Sequence, residues 1–443
     1  MDVKALFLTV PFVLCYFVQA MAEPAVQIDE TTANISEGLD AHGERLLQEA
    51  EHLKCFVLED CHDDDLAKIC ALFPGMEELQ IQNGEHITKL APLSSLTQLK
   101  RLAISDCGAS DLAALALLTQ LTDLLVECSM QDLSWMANLS NLTTVSLASD
   151  ELVSLKGLPL LPRLRTISIS GGRPEDLGPL VQALPNLQSL DLRDMRLPDL
   201  TPLTRLSGLR SLSLHGSQLH DFSALAACAH LEKLDYYGTE ADDYTTLGKL
   251  IQVRELEGGM TQLEDIAFIS ALPNLKSFST FSEPIRDLSP LASSSLEKLV
   301  LWEIGKNSVE VDLSPVARIH SLKDLRLLSV EQVKGSGSLG SLVNLERLII
   351  EGYNTDSGTE QFDLAGAAQW QHLAQLILRD VDVLHFEALA SCQALTSVEL
   401  KDMQGAGDLA ALKKLPHLKS VELSGNFPAG AAQGFAPAVD VDQ

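Results

Sequence analysis

Aromatic side chains are scarce in this chain: Phe, Trp and Tyr make up 5% of its residues, although 46% are hydrophobic. The core of a 443-residue chain must therefore be built from aliphatic side chains, chiefly Leu. Basic residues are also few. Lys and Arg number 32 against 61 Asp and Glu, for a net charge of −29. A phosphate backbone needs a basic footprint, so this deficit argues against nucleic acid as a partner, and against anionic membrane surfaces. Cysteine is sparse. Beyond residue 22 there are Cys55, Cys61, Cys70, Cys107, Cys128, Cys228 and Cys392. An odd set leaves at least one thiol unpaired in a monomer, and it is no dense disulfide framework. Catalytic signatures are missing too. No H-E-x-x-H, G-x-S-x-G, P-loop or C-x-x-C occurs, so no enzyme class is suggested and no cofactor or metal is expected.

Long hydrophobic runs are confined to the first 22 residues. Lys4 precedes the apolar stretch ALFLTVPFVLCYFV, and Ala20-Met21-Ala22 then stands before Glu23. This is the pattern of a secretory signal with an A-x-A cleavage site, and it is short for a membrane span. Cys15 follows Phe12-Val13-Leu14 and lacks the small neighbour a lipidated Cys requires. The C-terminal end has no hydrophobic tail, so a lipid-linked C-terminus is not expected. The mature protein is expected to begin near Glu23, to carry no membrane span, and to be secreted or periplasmic.

What is present is a period. The stretches LRSLSLHGSQLHDFSALAACAH (209–230) and LEKLDYYGTEADDYTTLGKLIQ (231–252) are each 22 residues long. Both place apolar residues first, fourth and sixth: Leu209, Leu212 and Leu214, then Leu231, Leu234 and Tyr236. The pattern L-x-x-L-x-L starts seventeen times between Leu53 and Leu418, mostly 21 to 23 residues apart. Longer intervals follow Leu296 and Leu345, where loops are inserted. The fourth and sixth places alternate with polar ones, which gives a short strand with one buried face. One repeat cannot bury that face alone. Stacked repeats, about 4.8 Å apart, form a parallel sheet over continuous Leu ladders, each buried Leu contributing about 1.5–3 kcal/mol.

A repeat of this length and spacing resembles the leucine-rich repeat, and more narrowly the 22-residue class of internalins and of a phosphatase-regulator family. The best matches are Asp199-Leu-Thr-Pro-Leu203, Asp287-Leu-Ser-Pro-Leu291 and Asp176-Leu-Gly-Pro-Leu180, with Ala183-Leu-Pro-Asn-Leu-Gln-Ser-Leu190 and Ala271-Leu-Pro-Asn-Leu-Lys-Ser-Phe278 leading into strands. The resemblance covers residues 53–426. It implies an α/β solenoid: a leucine-rich-repeat horseshoe with a parallel concave β-sheet and short helical turns on the convex side. Bacterial effector ligases also carry such repeats, but the resemblance would then require a catalytic domain with its own Cys, and no second globular domain is evident. Around the solenoid, 1–22 reads as the signal peptide, 23–52 as a leader and N-terminal helical cap, and 427–443 as a flexible tail.

Polar residues recur within the period. Asp111, Asp176, Asp199, Asp221, Asp243, Asp265 and Asp287 each stand twelve places after the first apolar residue of their repeat. A row of carboxylates suggests calcium, but Asp is a favoured helix cap and the following LxPL-type run is a helical turn, so caps are the expected role. The family normally has Asn at the ninth place. Here that place holds Cys61, Gly84, Cys107, Ser217 and Thr239 among others, which puts the turn geometry in question. The run Cys61-His62-Asp63-Asp64-Asp65 contains metal-ligand types, yet reads as ninth-place Cys plus caps for a turn over 66–72. Cys228 and Cys392 read as small core residues. Cys55 points from the first strand toward the concave face and is the best candidate for a reactive thiol. Cys107 and Cys128 lie in adjacent repeats at nearly equivalent places, which permits a disulfide between them; pairing among Cys55, Cys61, Cys70, Cys107 and Cys128 stays open.

Strand residues at the third, fifth and seventh places point to the concave face and are free to serve binding. In the first half they are mostly small and polar: Thr144, Ser146, Thr166, Ser168, Ser170, Ser189, Ser211, Ser213, His215. In the second half the seventh-place column becomes Tyr237, Gly259, Phe281, Trp302, Leu328, and the fifth-place column Val300, Arg326, Ile349, Ile377, with Arg347 and Arg379 beside them. Large apolar groups flanked by Arg have the composition of a protein-interface hot spot. The competing reading is that loops 303–312, 329–338 and 351–363 cover this patch. Asn34, Asn138 and Asn141 fit the glycosylation sequon, which matters only in a eukaryotic secretory pathway. The expectation is a monomeric, non-catalytic, extracytoplasmic module that binds a protein on the second half of the concave face, in a host-interaction or surface role. The alternatives are an envelope-glycan binder and an enzyme regulator of the phosphatase-regulator type.

Overall fold

The computed structural model describes residues 26–28, 32–36, 38–39, 41–50, 52–197, 199–304, 310–352, 361–403, 409–425, 427, 430–437 and 439–442. The expected signal segment, 1–22, lies outside them. Each repeat is one coil. A strand of three to seven residues crosses the sheet face, a turn follows, and a short helical segment returns on the opposite side. The described residues contribute a single 20-stranded sheet. Neighbouring strands pair in parallel, one repeat apart, as in the series Ser189, Ser211, Lys233, Glu255, Ser277, Lys298. The first-, fourth- and sixth-place side chains stack beneath it. Leu209, Leu212 and Leu214 are fully buried, and their equivalents form one continuous aliphatic core.

The return segments are mostly 3₁₀ turns, such as Thr201–Arg205 and Ser289–Ser293, with Pro202 and Pro290 early in the turn. Proline fixes φ there and gives up an N–H that has no partner in the first turn. The Asp row caps these turns. Asp199 accepts from the Thr201 N–H at 2.8 Å, Asp221 from Ser223 at 2.7 Å, Asp265 from Ala267 at 2.7 Å and Asp287 from Ser289 at 2.8 Å. Asp111, Asp176 and Asp243 make the same bond. At Asp63-Asp64-Asp65 the helix runs Asp63–Leu72, three residues longer than the spacing suggests. Asp63 accepts from the Thr88 and Lys89 N–H groups in the next coil at 2.7 and 2.9 Å, and Asp65 accepts from the Leu39 N–H at 3.0 Å. These carboxylates join coils. Among the described residues no group of three or more His, Cys, Asp or Glu side chains is placed to hold a metal.

The turn after the strand is set at the eighth place. Asp60, Asn83, Asp106, Asp194, Asp380 and Asp402 there have φ near +50°, and Gly171, Gly216, Gly238 and Gly425 also have positive φ. Asp, Asn and Gly are the residues that tolerate this left-handed conformation. The ninth residue then bonds backbone as an amide would: the Ser217 hydroxyl donates to the Leu192 carbonyl at 3.0 Å and Thr239 donates to Tyr236 at 2.8 Å.

Both ends differ from expectation. Residues 23–37 read as a loose leader, but Val26–Ile28 and Thr32–Ser36 form an antiparallel hairpin, and Thr32–Ser36 adds to Cys55–Glu59 in parallel. Ala33 and Ile35 are buried by this pairing, and with Leu47 of the helix Ala41–Gln48 they cover the first coil. The segment read as a flexible tail places Asp440–Asp442 beside Ser420–Ser424. Alternation in Val439-Asp440-Val441 is enough to pack two Val against the last coil. Each end would otherwise expose Leu rungs, so a terminal segment with even brief alternation is drawn onto the core. No helix among the described residues is long and apolar enough to cross a membrane.

Candidate functional site

The seventh-place column forms a ladder of rings. Register places Gly259 beside Phe281, Phe281 beside Trp302, and Trp302 beside Leu328. His215 and Tyr237 have ring centroids 4.8 Å apart, Tyr237 and Phe281 5.8 Å, Phe281 and Trp302 5.5 Å. Tyr237 and Phe281 stand two coils apart, about 9.6 Å by strand spacing. They meet because Gly259 between them has no side chain. A Cβ on Gly259 would come within 3.0 Å of the backbone and Cβ of Phe281. On the other side of the sheet the same coil carries Gly258, and the fully buried Tyr236 ring fills its space. The Gly258-Gly259 pair is thus closed by aromatic rings on both faces.

The ladder is open to solvent at two points. Trp302 is 40% exposed and Met260 58%. Met260 occupies the left-handed eighth place with φ 53°, where most coils have Asp or Gly, and its thioether meets the Tyr237 hydroxyl. The backbone there is the turn the repeat uses throughout; what sets Met260 apart is a long apolar side chain left exposed beside Tyr237. The Trp302 indole N–H donates to the Ser329 hydroxyl at 3.2 Å, which fixes its ring. His215 and Met260 were not singled out from sequence for this patch. The signal was there for Met260, whose residue type breaks its column. Tyr237, Phe281, Leu328, Ile349 and Ile377 are half-buried, and Val300 is nearly closed off at 6%. Val300 therefore supports the ladder from beneath and offers little surface.

The flanking arginines are engaged within the sheet. Arg326 makes a two-pronged contact with Asp324, at 3.0 and 2.8 Å, and Arg347 approaches the same carboxylate at 3.6 Å. Arg379 clamps Glu399 at 2.6 and 3.0 Å and reaches Glu351 at 3.4 Å. The hydrogen bonds they donate to these carboxylates raise the pKa of Arg326 and Arg379 further. The three cations are rim struts around Ile349 and Ile377, with their charge locally balanced. The described ends of the inserted loops turn to the flank: Val311–Asp312 pairs with Val333–Lys334, and Gln361–Asp363 with Asp382–Leu384. Residues 305–309 and 353–360 lie outside the described residues.

Upstream, the sheet face is a hydroxyl field broken by acids. Ser213 donates to Asp235 at 3.0 Å, and Arg193 pairs with Asp191 at 2.6 Å. On the flank next to Met260 an open groove of about 800 Å³ is lined by residues that include Arg173, Arg196, Glu240 and Asp242. Its charges are of both signs, so it selects no ion. Among the cysteines, burial pushes the thiols of Cys61 and Cys392 up to about 11 and that of Cys70 up to about 12. Cys55 contacts Glu78, and its thiol is also raised, by burial first and by that carboxylate second. It is a poor nucleophile.

A stack of parallel strands, one per 22-residue coil, with Asp-capped turns behind it decides the architecture. The fold is the leucine-rich-repeat solenoid. The solved structure of a TLR13–ssRNA13 complex matches 93% of this chain and 64% of its own, at 17% identity and a TM-score of 0.59. An internalin from Listeria monocytogenes matches 78% of this chain and 85% of its own, at 21% identity and a TM-score of 0.45. A leucine-rich-repeat protein of Leptospira interrogans matches 92% and 93%, at 15% identity and 0.47. These likenesses concern the fold alone. No protein-family model matches the sequence, and no curated protein does.

Proposed function

We propose that the chain is a non-catalytic binding module acting outside the cytoplasm, and that it holds a protein partner on the second half of its sheet face. The observation that carries this is the ring ladder closing over Gly259. Tyr237, Phe281 and Trp302 stand in one column, with only the Gly259 coil between the first two, in a chain with few aromatics. Leu328, Ile349 and Ile377 continue the apolar surface, and Arg326, Arg347 and Arg379 frame it through their carboxylate partners. A rigid aromatic centre with a satisfied polar rim is the anatomy of an interface hot spot. The hydrophobic leader before Glu23 supports export, and a host-interaction or surface role suits such a module.

Two other ligands fit less well. A sugar stacks on flat, open ring faces. Here neighbouring rings are tilted by 73° and 56°, so they present edges to one another and to the solvent. The TLR13 structure is a complex with RNA, but this chain carries a net charge of −29 and its sheet-face arginines are paired with acids. The test uses the full chain, a Phe281→Ala/Trp302→Ala variant, and a Thr166→Ala/Ser168→Ala control on the hydroxyl field. All three should fold alike by circular dichroism. A protein captured by wild type and control should bind the ladder variant about 30-fold more weakly or worse, the scale of a hot-spot loss of 2 kcal/mol. Equal affinity of all three forms, or binding of a glycan array in place of any protein, overturns the proposal.

A further inference from the structure

We propose that Cys107 and Cys128 are a built thiol pair that closes into a disulfide between adjacent coils. The strands Arg101–Cys107 and Asp123–Cys128 run in parallel, with Ile104 opposite Val126. The register then shifts by one residue between Ile104 and Cys107, and Cys107 comes to stand opposite Cys128. Without that irregularity Cys107, at the ninth place, would face Ser129. Bulges of this kind re-aim a side chain. Directly opposed residues on neighbouring strands have Cα atoms within the range a disulfide spans. Both cysteines are free thiols in the structure, and the Cys107 sulfur accepts from the Ala109 N–H at 3.4 Å.

Among the described residues no other cysteine is placed to compete. Cys61 also occupies a ninth place, but the coil between it and Cys107 has Gly84 there, so the two are separated by twice the strand spacing. Cys61 donates to the Ile35 carbonyl at 3.7 Å and Cys392 to Ala367 at 3.3 Å, as Cys107 does to Ile87 at 3.4 Å; only Cys107 has another cysteine opposite it.

The two partners are also unequal, in the way an exchange reaction needs. Cys107 is half-buried and Cys128 is buried. The neighbouring Cys128, with help from the Ala109 N–H, holds the Cys107 thiol below its ordinary value, against the effect of burial. The Cys128 thiol is raised, first by its pairing with Cys107, then by burial and by negative charge on Cys107. Cys107 is therefore the attacking thiolate. It displaces one thiolate from a small-molecule disulfide such as oxidised glutathione, leaving a mixed disulfide on its sulfur. Capping removes the charge that holds the Cys128 proton. Cys128 then attacks the Cys107 sulfur and releases the second thiolate. Two protein thiols are oxidised, one small disulfide is reduced to two thiols, and the two protons leave with them.

The test is to hold the reduced full chain in a glutathione buffer at pH 8, alkylate it, and cleave at Asp. Asp111 and Asp123 lie between the two cysteines, so a disulfide links separate peptides. The expected result is a Cys107–Cys128 crosslink with the other cysteines alkylated. Cys128→Ser should accumulate glutathione on Cys107, whereas Cys107→Ser should leave Cys128 unmodified. Alkylation of both residues in wild type, a crosslink from Cys107 to another cysteine, or glutathione on Cys128 in Cys107→Ser would overturn the assignment.

Discussion

Replacing Gly258 by Ala adds one methyl group and should be among the more damaging small changes available in this chain. Three successive sixth places, normally Leu, hold Tyr236, Gly258 and Thr280. The Tyr236 ring lies across the space that a side chain at 258 would take. A Cβ there would come within 3.0 Å of its Cζ, Cε1 and Cε2, closer than real Cβ atoms approach other groups. The ring cannot swing away, because it is fully buried and packs against Phe222 and Tyr244 at centroid distances of 6.1 and 6.2 Å. Overpacking of this kind costs about 1–3 kcal/mol, and a whole ring displaced places Gly258→Ala at the upper end. Tyr236→Leu alone empties the space and should cost about 2–4 kcal/mol as a cavity. The double variant puts Leu at 236 and a methyl group at 258, closer to the aliphatic packing of other coils. Its cost should fall below the sum of the single costs by about 2 kcal/mol, a strong coupling for two residues in contact. Urea unfolding of the four proteins, followed by circular dichroism, measures the cycle. Additive costs, with no coupling beyond about 0.5 kcal/mol, would show that ring and glycine do not share one space.

Two further outcomes follow from the carboxylates. Asp199→Ala should cost about 1 kcal/mol in urea unfolding, while Asp199→Asn, which keeps an oxygen facing the Thr201 N–H, should cost less. Calcium or a chelator should leave the wild-type midpoint unmoved; a midpoint that rises with calcium would return the Asp row to the metal reading. Glu283 is buried, and its carboxylate accepts from the Thr261 N–H and hydroxyl at 2.8 and 2.6 Å and from the Leu263 N–H at 2.7 Å. Burial outweighs these bonds, so its pKa lies above the ordinary 4.5. An acid with a raised folded pKa takes up its proton more readily in the fold. Its contribution is fully present below the unfolded value and is lost as pH rises through the folded one. Wild type should therefore lose stability relative to Glu283→Gln across the window just above 4.5, and parallel melting-temperature profiles for the two would refute this.

The period was legible because Leu spacing is a local property, and so were the caps, since each Asp serves the turn two residues ahead. What stayed hidden depends on neighbours one coil away. From sequence, Arg326, Arg347 and Arg379 are cations beside apolar residues. Asp324 stands two residues before Arg326 on one strand, so that pair could have been read; only the lateral register shows that Asp324 also meets Arg347 and that Glu399 meets Arg379. Val300 sits on the sheet face by its parity, yet its neighbours close over it. The eighth-place turn is legible in the recurrence of Asp, Asn and Gly one residue before the place where the family has Asn, but that column signals a turn only once its positive φ is known. The terminal strands were missed for another reason. Their alternation is only a few residues long, too brief to stand out until a bare core edge is there to receive it.

The case for the ladder as a working surface rests on what the solenoid does not require. The core needs apolar residues at the first, fourth and sixth places, and aliphatics meet that need almost everywhere. The seventh place bears no such load. Upstream it holds Ala148, Ser170 and Arg193, and the coils there pair as well as those downstream. Tyr237, Phe281 and Trp302 are thus not explained by folding. Gly259 answers to the backbone as well as to the rings: its φ of 151° and the nearness of the Phe281 backbone leave no room for a Cβ. Rings without the glycine would stand apart, two coils from one another. Together they make one rigid apolar ridge, bounded by Met260 on one side and by neutralised arginines on the other. A ridge of rings that the fold does not require, and that takes form only on the open face, is best understood by what it presents to another molecule.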